Sequence, residues 1–236
     1  MIIIPARLVS TRFPQKVLAP INGIPMVIAT ARRVSGIDEV CIATDSQEVI
    51  TIAKSYGIGA VLTRADHQSG TDRIDEAATL LGLAEDEYVV NVQADEPFIE
   101  PEIVEQVFAE LRSLERDFVM ASCYKAITKE QSCDPNLVKV LMDDNNDAIY
   151  FSRSPIPYDR DGGFDGYKGH IGIYGFRRDA LRMFCTLPHA PIEHIEKLEQ
   201  LRALYFGHKI AMVEVKTTSF GIDTREDYER ALARHH

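Results

Sequence analysis

Met1-Ile2-Ile3-Ile4-Pro5-Ala6-Arg7-Leu8-Val9-Ser10-Thr11-Arg12-Phe13-Pro14-Gln15-Lys16 opens the chain and decides how the rest is read. Three successive isoleucines predict a strand buried on both faces, as in parallel sheets, because a half-exposed strand would alternate apolar with polar residues. A loop carrying Arg7, Arg12 and Lys16 follows, and no acid occurs before Asp38. Ligands of open α/β sheets collect beyond the carboxyl ends of strands, so this cationic, hydroxyl-bearing loop is a candidate polyphosphate cradle. The alternative is a solvated basic loop. Against it, 36 acidic residues face 26 Lys and Arg over the chain, so an acid-free opening is a local asymmetry that suits an anion. The loop has neither the glycines of a dinucleotide fingerprint nor the Gly-Lys-Ser/Thr end of a P-loop. Side-chain cations would therefore hold phosphates at least as much as backbone amides.

A chain of 236 residues that is 45% hydrophobic can bury a full core, and residues 1–236 are expected to form one domain with an insertion. A formal charge of -10 argues against a nucleic-acid or membrane-surface binder, since both need basic faces, and points to a small anionic partner. Cys41, Cys123, Cys133 and Cys185 form no Cys-x-x-Cys pair and have no His at zinc-finger spacing, so they are expected to be free thiols in a reducing compartment. The opening apolar run is too short for a signal peptide or a membrane helix, and a cytoplasmic protein is expected.

Along the chain, Asn22-Gly23 supplies a turn, and Pro25 fits the first position of a helix running to Val34. A strand over 39–43 precedes a helix through Tyr56, with Asp45 and Glu48 placed to cap it. A strand over 60–63, a polar loop over 64–73, a helix over 71–83 and a buried strand over 88–92 follow. A helix over 101–114 and a strand over 117–126 come next. The alternation then lapses: 138–142 and 148–152 form a hairpin about the acidic turn 143–147, and 153–168 is a long loop. A Gly-rich strand over 169–176, a helix over 194–205 and a strand over 209–215 precede Gly221-Ile222-Asp223-Thr224. There Thr224 and Asp227 predict a capping box for a closing helix. The pattern is a mostly parallel α/β sheet with a hairpin-and-loop insertion at about 117–176.

Asp95 ends an apolar strand at the mouth where the basic loop opens, a place that suits a hard cation such as Mg2+ shared with substrate phosphates. A helix cap or turn role is the plainer alternative. Asp223 stands in the same situation, though Thr224 equally gives it a capping neighbourhood. Cations with two strand-end carboxylates are what phosphoryl-type transfer needs, since metal and Lys or Arg neutralise developing phosphate charge. No Gly-x-Ser-x-Gly nucleophile elbow is present. His170 and Tyr174 share a strand face amid alternating glycines, which often mark close approach of a ligand or a second backbone; a satisfied core His and Tyr are the alternative.

These motifs together resemble the 3-deoxy-D-manno-octulosonate (Kdo) cytidylyltransferases, or CMP-Kdo synthetases. Ile3-Ile4-Pro5-Ala6-Arg7 with Ser10 to Lys16, Ala43-Thr44-Asp45, Thr63 to Arg73 and Asn91 to Pro97 are similar to the nucleotide half of that family. Phe151-Ser152-Arg153, His170 to Tyr174, Glu193 to Arg202 and Gly221 to Thr224 are similar to its sugar-acid and metal segments. The likeness is collinear over nearly the whole chain, and departs from the family pattern at Gln15 and Ala94, where glycine is usual.

The resemblance implies a Rossmann-like, nucleotide-diphospho-sugar transferase-like fold and the reaction of CTP with Kdo to give CMP-Kdo and diphosphate, for lipopolysaccharide assembly. It implies that Arg7 and Lys16 hold the triphosphate and that Asp95 and Asp223 bind Mg2+. Nucleotide contacts are implied for Ser10, Thr11, Arg12, Thr44, Asp45, Arg64, Ser69, Gly70, Thr71, Arg73 and Gln93, and sugar-acid contacts for Arg153, His170, Tyr174, Glu199 and Gln200. A homodimer paired through the insertion is implied as well. Activation of 8-amino-Kdo or a sialic acid, and a non-catalytic nucleotide-binding module, are the rival readings.

Overall fold

In a computed structural model, which describes residues 1–9, 13–114 and 117–234, the opening apolar run forms β1 (Ile2–Ala6), buried at all five positions. Ser10, Thr11 and Arg12 lie outside the described residues. A 3-10 turn (Lys16–Leu18) and the short hairpin of β2 (Pro20–Ile21) and β3 (Ile24–Pro25) follow. Asn22 and Gly23 turn the hairpin with φ of 48° and 84°, the two positive values that a tight two-residue turn needs.

Three crossovers then build a parallel sheet. α1 (Met26–Val34) leads to β4 (Val40–Thr44), α2 (Gln47–Ser55) to β5 (Gly59–Leu62), and α3 (Gly70–Leu80) to β6 (Tyr88–Asn91). β4 and β6 flank β1 and β5 lies beyond β4, all parallel, with Ile2 opposite Val40 and Val90. Pro25 turns out to be the residue before α1 rather than its first: its ψ of 141° is extended, and Met26 starts the helix. Ser46, not Asp45, caps α2, its hydroxyl accepting the Val49 N–H, because the Asp45 carboxylate is engaged by Arg73 and by the Leu8 N–H. Ser69 caps α3 by accepting the Asp72 N–H at 3.1 Å.

The chain divides into two compact units, Met1–Glu105 with Thr217–His236, and Gln106–Lys216. The second therefore extends past the expected insertion at both ends. α4 (Pro101–Ser113) carries the chain into it. Its elements are β7 (Phe118–Ala126), α5 (Lys129–Ser132), β8 (Lys139–Met142), β9 (Ala148–Ser152), β10 (Lys168–Arg177), α6 (Arg178–Thr186), α7 (Pro191–Glu196), α8 (Leu201–Tyr205) and β11 (Lys209–Glu214). β7 pairs antiparallel with β10 and parallel with β11. β8 and β9 form the expected hairpin, and β8 also pairs with β10. The single helix expected over 194–205 is two, because Lys197 takes a left-handed φ of 54° between α7 and α8.

α9 (Arg225–Arg234) returns to the first unit, with Thr224 and Asp227 closing the expected capping box: the Asp227 N–H donates to Thr224 Oγ1 and the Thr224 N–H to Asp227 Oδ2. Its Ala231, with Ile222, packs among Phe13, Ile21, Met26 and Ala29. Burial of an aliphatic side chain such as Ile222 stabilises by roughly 1.5–3 kcal/mol, which holds the loop before α9 in place.

Gln15, one of the two departures from the pattern the motifs resemble, has a φ of 53°. A side chain in that region costs roughly 1–2 kcal/mol, and glycine's extra freedom in the unfolded chain offsets only part of it. Gln15→Gly is expected to raise stability by about 0.5 kcal/mol, read as a higher urea midpoint at unchanged slope. A lower midpoint would contradict the strain at Gln15.

Candidate functional site

β6 hands the chain to Gln93, Ala94 and Asp95, and the loop before α9 brings Asp223 beside them. The fixture is a backbone bond, Ile222 N–H donating to the Asp95 carbonyl at 2.9 Å. Lys16, at the start of the 3-10 turn, completes the group: its Nζ donates to Asp95 Oδ2 at 2.5 Å and to Asp223 Oδ1 at 3.0 Å. The two acids, 79 and 207 residues from Lys16 in sequence, thus converge on one ammonium. Burial pulls the Lys16 pKa down, but the charge and hydrogen bond of Asp95, followed by those of Asp223, outweigh it and leave it above its ordinary value. Asp223 does not cap α9, since Thr224 and Asp227 do so.

The trio lies in a cleft of about 310 Å³. Arg7 and Val9 line it from the opening loop, His67, Gln68, Ser69, Gly70 and Arg73 from the start of α3, and Gln93 and Ala94 from the end of β6. The structure thus brings together eight of the expected residues: Arg7, Lys16, Ser69, Gly70, Arg73, Gln93, Asp95 and Asp223. Of the other expected nucleotide residues that the structure describes, Thr44, Asp45, Arg64 and Thr71 lie outside this lining. Thr44 is fully buried and its Oγ1 accepts the Ser46 N–H; Thr71 is buried; Arg64 is exposed beside Asp66 and Glu76.

Arg73 is a brace as well as a lining residue. Nη1 donates to Thr63 Oγ1 at 2.6 Å and to the Arg64 carbonyl at 3.2 Å, and Nη2 to Asp45 Oδ2 at 3.1 Å. Since Asp45 Oδ1 also accepts the Leu8 N–H at 3.3 Å, one ion pair ties the basic loop, the end of β4 and α3 together. A second brace joins His67 Nε2 to Glu76, whose Oε2 also accepts the Arg64 N–H at 3.0 Å. Burial works against ionisation of Glu76, but the His67 hydrogen bond and the Arg64 N–H hold its pKa below the ordinary value. Glu76 was not legible as part of the site, because it lies on α3 as one acid among several.

The expected sugar-acid residues all belong to the second unit. Arg153 spends its guanidinium on the carbonyls of Glu196, Pro135 and Lys197, at 2.7, 2.8 and 3.4 Å, so the structure uses it to clamp the end of α7. Gln200 is 4% exposed and its Nε2 has no protein partner among the described residues, a buried donor open to a ligand. Glu199 Oε1 lies 3.7 Å from Arg202. Burial, reinforced by the Glu199 charge, pushes the Tyr174 phenol up, so it stays a hydroxyl.

His170 acquires its state from Ser122, a residue the sequence did not single out. Ser122 Oγ lies 2.8 Å from the Ile173 carbonyl, to which it donates its one proton, and 2.9 Å from His170 Nε2, from which it must then accept. His170 Nδ1 is left as an acceptor. Burial pushes the His170 pKa down to about 3, whereas the unfolded chain takes that proton near 6.5. Between those values the unfolded state binds more protons, so stability falls as pH falls from about 6.5 toward 3. His170→Gln is expected to flatten this decline, measured as urea midpoints from neutral pH downward; an unchanged slope would place the acid-labile group elsewhere.

Asp95 and Asp223 are also the donor set that fits a hard divalent cation. Two carboxylate oxygens that touch one ammonium lie within a few ångströms of each other, and Mg2+ takes oxygen ligands, keeping several from water and phosphate. Among the described residues no group of three or more His, Cys, Asp or Glu gathers as metal ligands, so such an ion would complete its shell from substrate and water.

A family model for cytidylyltransferases matches residues 1–210. The chain is 58% identical over 99% of its length to the 3-deoxy-manno-octulosonate cytidylyltransferase of a Nitratiruptor species, covering 98% of that protein. It is 51% identical to the enzyme of that name from Wolinella succinogenes, over 98% of each chain. Its structure superposes with a TM-score of 0.92 on a CMP:2-keto-3-deoxy-manno-octonic acid synthetase solved with CTP, at 39% identity, covering 99% of this chain and 97% of that one. With two acids converging on Lys16 in a cleft shared with the basic loop and the braced start of α3, the chain belongs to the 3-deoxy-manno-octulosonate cytidylyltransferase family.

Proposed function

We propose that this chain transfers the cytidylyl group of CTP to Kdo, giving CMP-Kdo and diphosphate. The observation that carries it is the convergence of Lys16, Asp95 and Asp223 in a cleft also lined by Arg7. The anomeric hydroxyl of Kdo attacks the α-phosphorus and gives up its proton to water, a new P–O bond forms, and the bond to the bridging oxygen breaks as diphosphate leaves with that bond's electron pair. Arg7 and Lys16 bind the triphosphate, and Lys16 offsets charge as it builds on the departing diphosphate. Asp95 and Asp223 hold Mg2+, which when bound neutralises phosphate charge. Ser69, Gly70, Arg73 and Gln93 shape the nucleotide side of the cleft. Sugar-acid contacts are assigned to Arg153, His170, Tyr174, Glu199 and Gln200, where a neutral His170 and the open Gln200 donor suit a polyhydroxy acid.

Assembly and location belong to the same proposal. The chain pairs as a homodimer through the second unit, where β9 presents Ile149 53% exposed on a strand paired only with β8 among the described residues. A monomer by light scattering at micromolar concentration would contradict this. The enzyme is cytoplasmic, in keeping with four free cysteines; no described helix is long and apolar enough to cross a membrane.

Diphosphate release from CTP and Mg2+, measured with Kdo, 8-amino-Kdo and a sialic acid, tests the function. Release with Kdo is expected. Release only with another acid changes the substrate, and no release with any of them leaves a non-catalytic nucleotide binder.

A further inference from the structure

Lys16 Nζ occupies the point at which the oxygens of Asp95 and Asp223 meet, 2.5 and 3.0 Å away. The side chains are 12%, 22% and 49% exposed for Lys16, Asp95 and Asp223, so the ammonium is the most enclosed member of the trio. A divalent ion seeking both carboxylates must enter beside a positive charge already hydrogen-bonded to each. We propose that Lys16 is a resident counter-ion: in the nucleotide-free enzyme it holds the two acids together and bars the divalent cation, and the triphosphate draws it away. The inference rests on the proposed role of Asp95 and Asp223 as metal ligands.

Three features support it. Lysine is a point charge on a flexible four-carbon stem, able to change partners without moving its backbone. It stands in the same cleft as Arg7 and the start of α3, where a polyphosphate would offer its ammonium new oxygens. Two carboxylates close together repel when nothing positive lies between them, so the site needs a cation in either state, an ammonium before nucleotide binds and a metal after. Cation and nucleotide then favour each other's binding by the same factor, as linkage requires.

The test is Mn2+ binding to the whole protein, followed by electron paramagnetic resonance without nucleotide and again with a non-hydrolysable CTP analogue. Lys16→Met without nucleotide is expected to bind Mn2+ at least about tenfold more tightly than the unaltered protein, since one positive charge a few ångströms from a divalent ion accounts for more than that ratio. Mg2+ alone should also raise the melting temperature of Lys16→Met more than that of the unaltered protein, and Asp95→Asn in the Lys16→Met background should abolish both effects. Equal or weaker Mn2+ binding by Lys16→Met overturns the counter-ion role, as does tight binding that survives Asp95→Asn. Lys16→Gln repeats the comparison if Lys16→Met folds poorly. Should the unaltered protein bind no Mn2+ even with the analogue, the metal-ligand role of the acids fails; binding with the analogue but no gain in Lys16→Met sinks the counter-ion role alone.

Discussion

Asp95→Asn is expected to lower turnover by about a thousandfold while shifting the melting temperature by only a few degrees. Asparagine keeps the volume of the side chain and leaves the Asp95 carbonyl, which accepts the Ile222 N–H, untouched. What it removes is one of the two negative charges that converge on Lys16 in the cleft. Lys16 retains Asp223, so the folded state keeps an ion pair there, whereas the reacting phosphates lose half of the carboxylate set proposed to hold their cation. Steady-state release of diphosphate from CTP and Kdo, alongside a thermal melt, separates the two consequences. Turnover within tenfold of the unaltered enzyme would remove Asp95 from the reaction.

The largest loss of stability is expected far from that cleft in sequence, at Glu193. Arg202 is 2% exposed, its guanidinium lies over the Phe184 ring at 5.0 Å, and it donates from Nε and Nη2 to the two oxygens of Glu193 at 3.0 and 2.6 Å. Glu193 also accepts the Ala190 N–H at 3.2 Å, which closes the start of α7. Glu193→Ala leaves a buried cation without its bidentate partner and is expected to destabilise by about 3–5 kcal/mol, seen as a lower urea midpoint. Burial raises the Glu193 pKa, but Arg202, the Ala190 N–H and His189 lower it further, so in the folded protein it lies below the ordinary value. The stabilisation is therefore present above the unfolded carboxyl's pKa of 4.5 and is lost as pH falls through the folded value, a decline that Glu193→Ala should weaken. A loss under about 1 kcal/mol would show that Arg202 finds another partner.

Strands were legible because they depend on neighbours in sequence: an unbroken apolar run such as 2–4 leaves little choice of structure, and Asp95 could be placed beyond the carboxyl end of β6. Asp223 was expected to follow a strand as well, but it lies in the loop between β11 and α9, and the Ile222 N–H on the Asp95 carbonyl brings it to Asp95. Choices made at a distance could not be anticipated. Asp45 and Ser46 are both good capping residues, and Arg73, 28 positions away, decides between them by engaging Asp45. The break between α7 and α8 falls at Lys197, a residue with no preference for a left-handed turn, so neither glycine nor proline announces it. α6 begins at Arg178, directly after β10 ends, and Arg177 before it makes no side-chain cap, so no punctuation separates strand from helix. His170 looked like any strand histidine; its neutral state and tautomer come from burial and from Ser122, 48 residues earlier.

The discontinuity of the first unit has a consequence in time. A ribosome releases Lys16 and Asp95 long before Asp223, because all of Gln106–Lys216 must be made in between. Domains generally fold as units while synthesis proceeds from the N-terminus, so the parallel strands can assemble early, yet Ile222 and Asp223 reach their partners only after the second unit has been made. Until then Lys16 has one carboxylate instead of two, and a nascent chain can carry a nearly complete cleft without the acid that finishes it. Competence for transfer thus waits until the second unit has been made and the segment that carries Asp223 follows it.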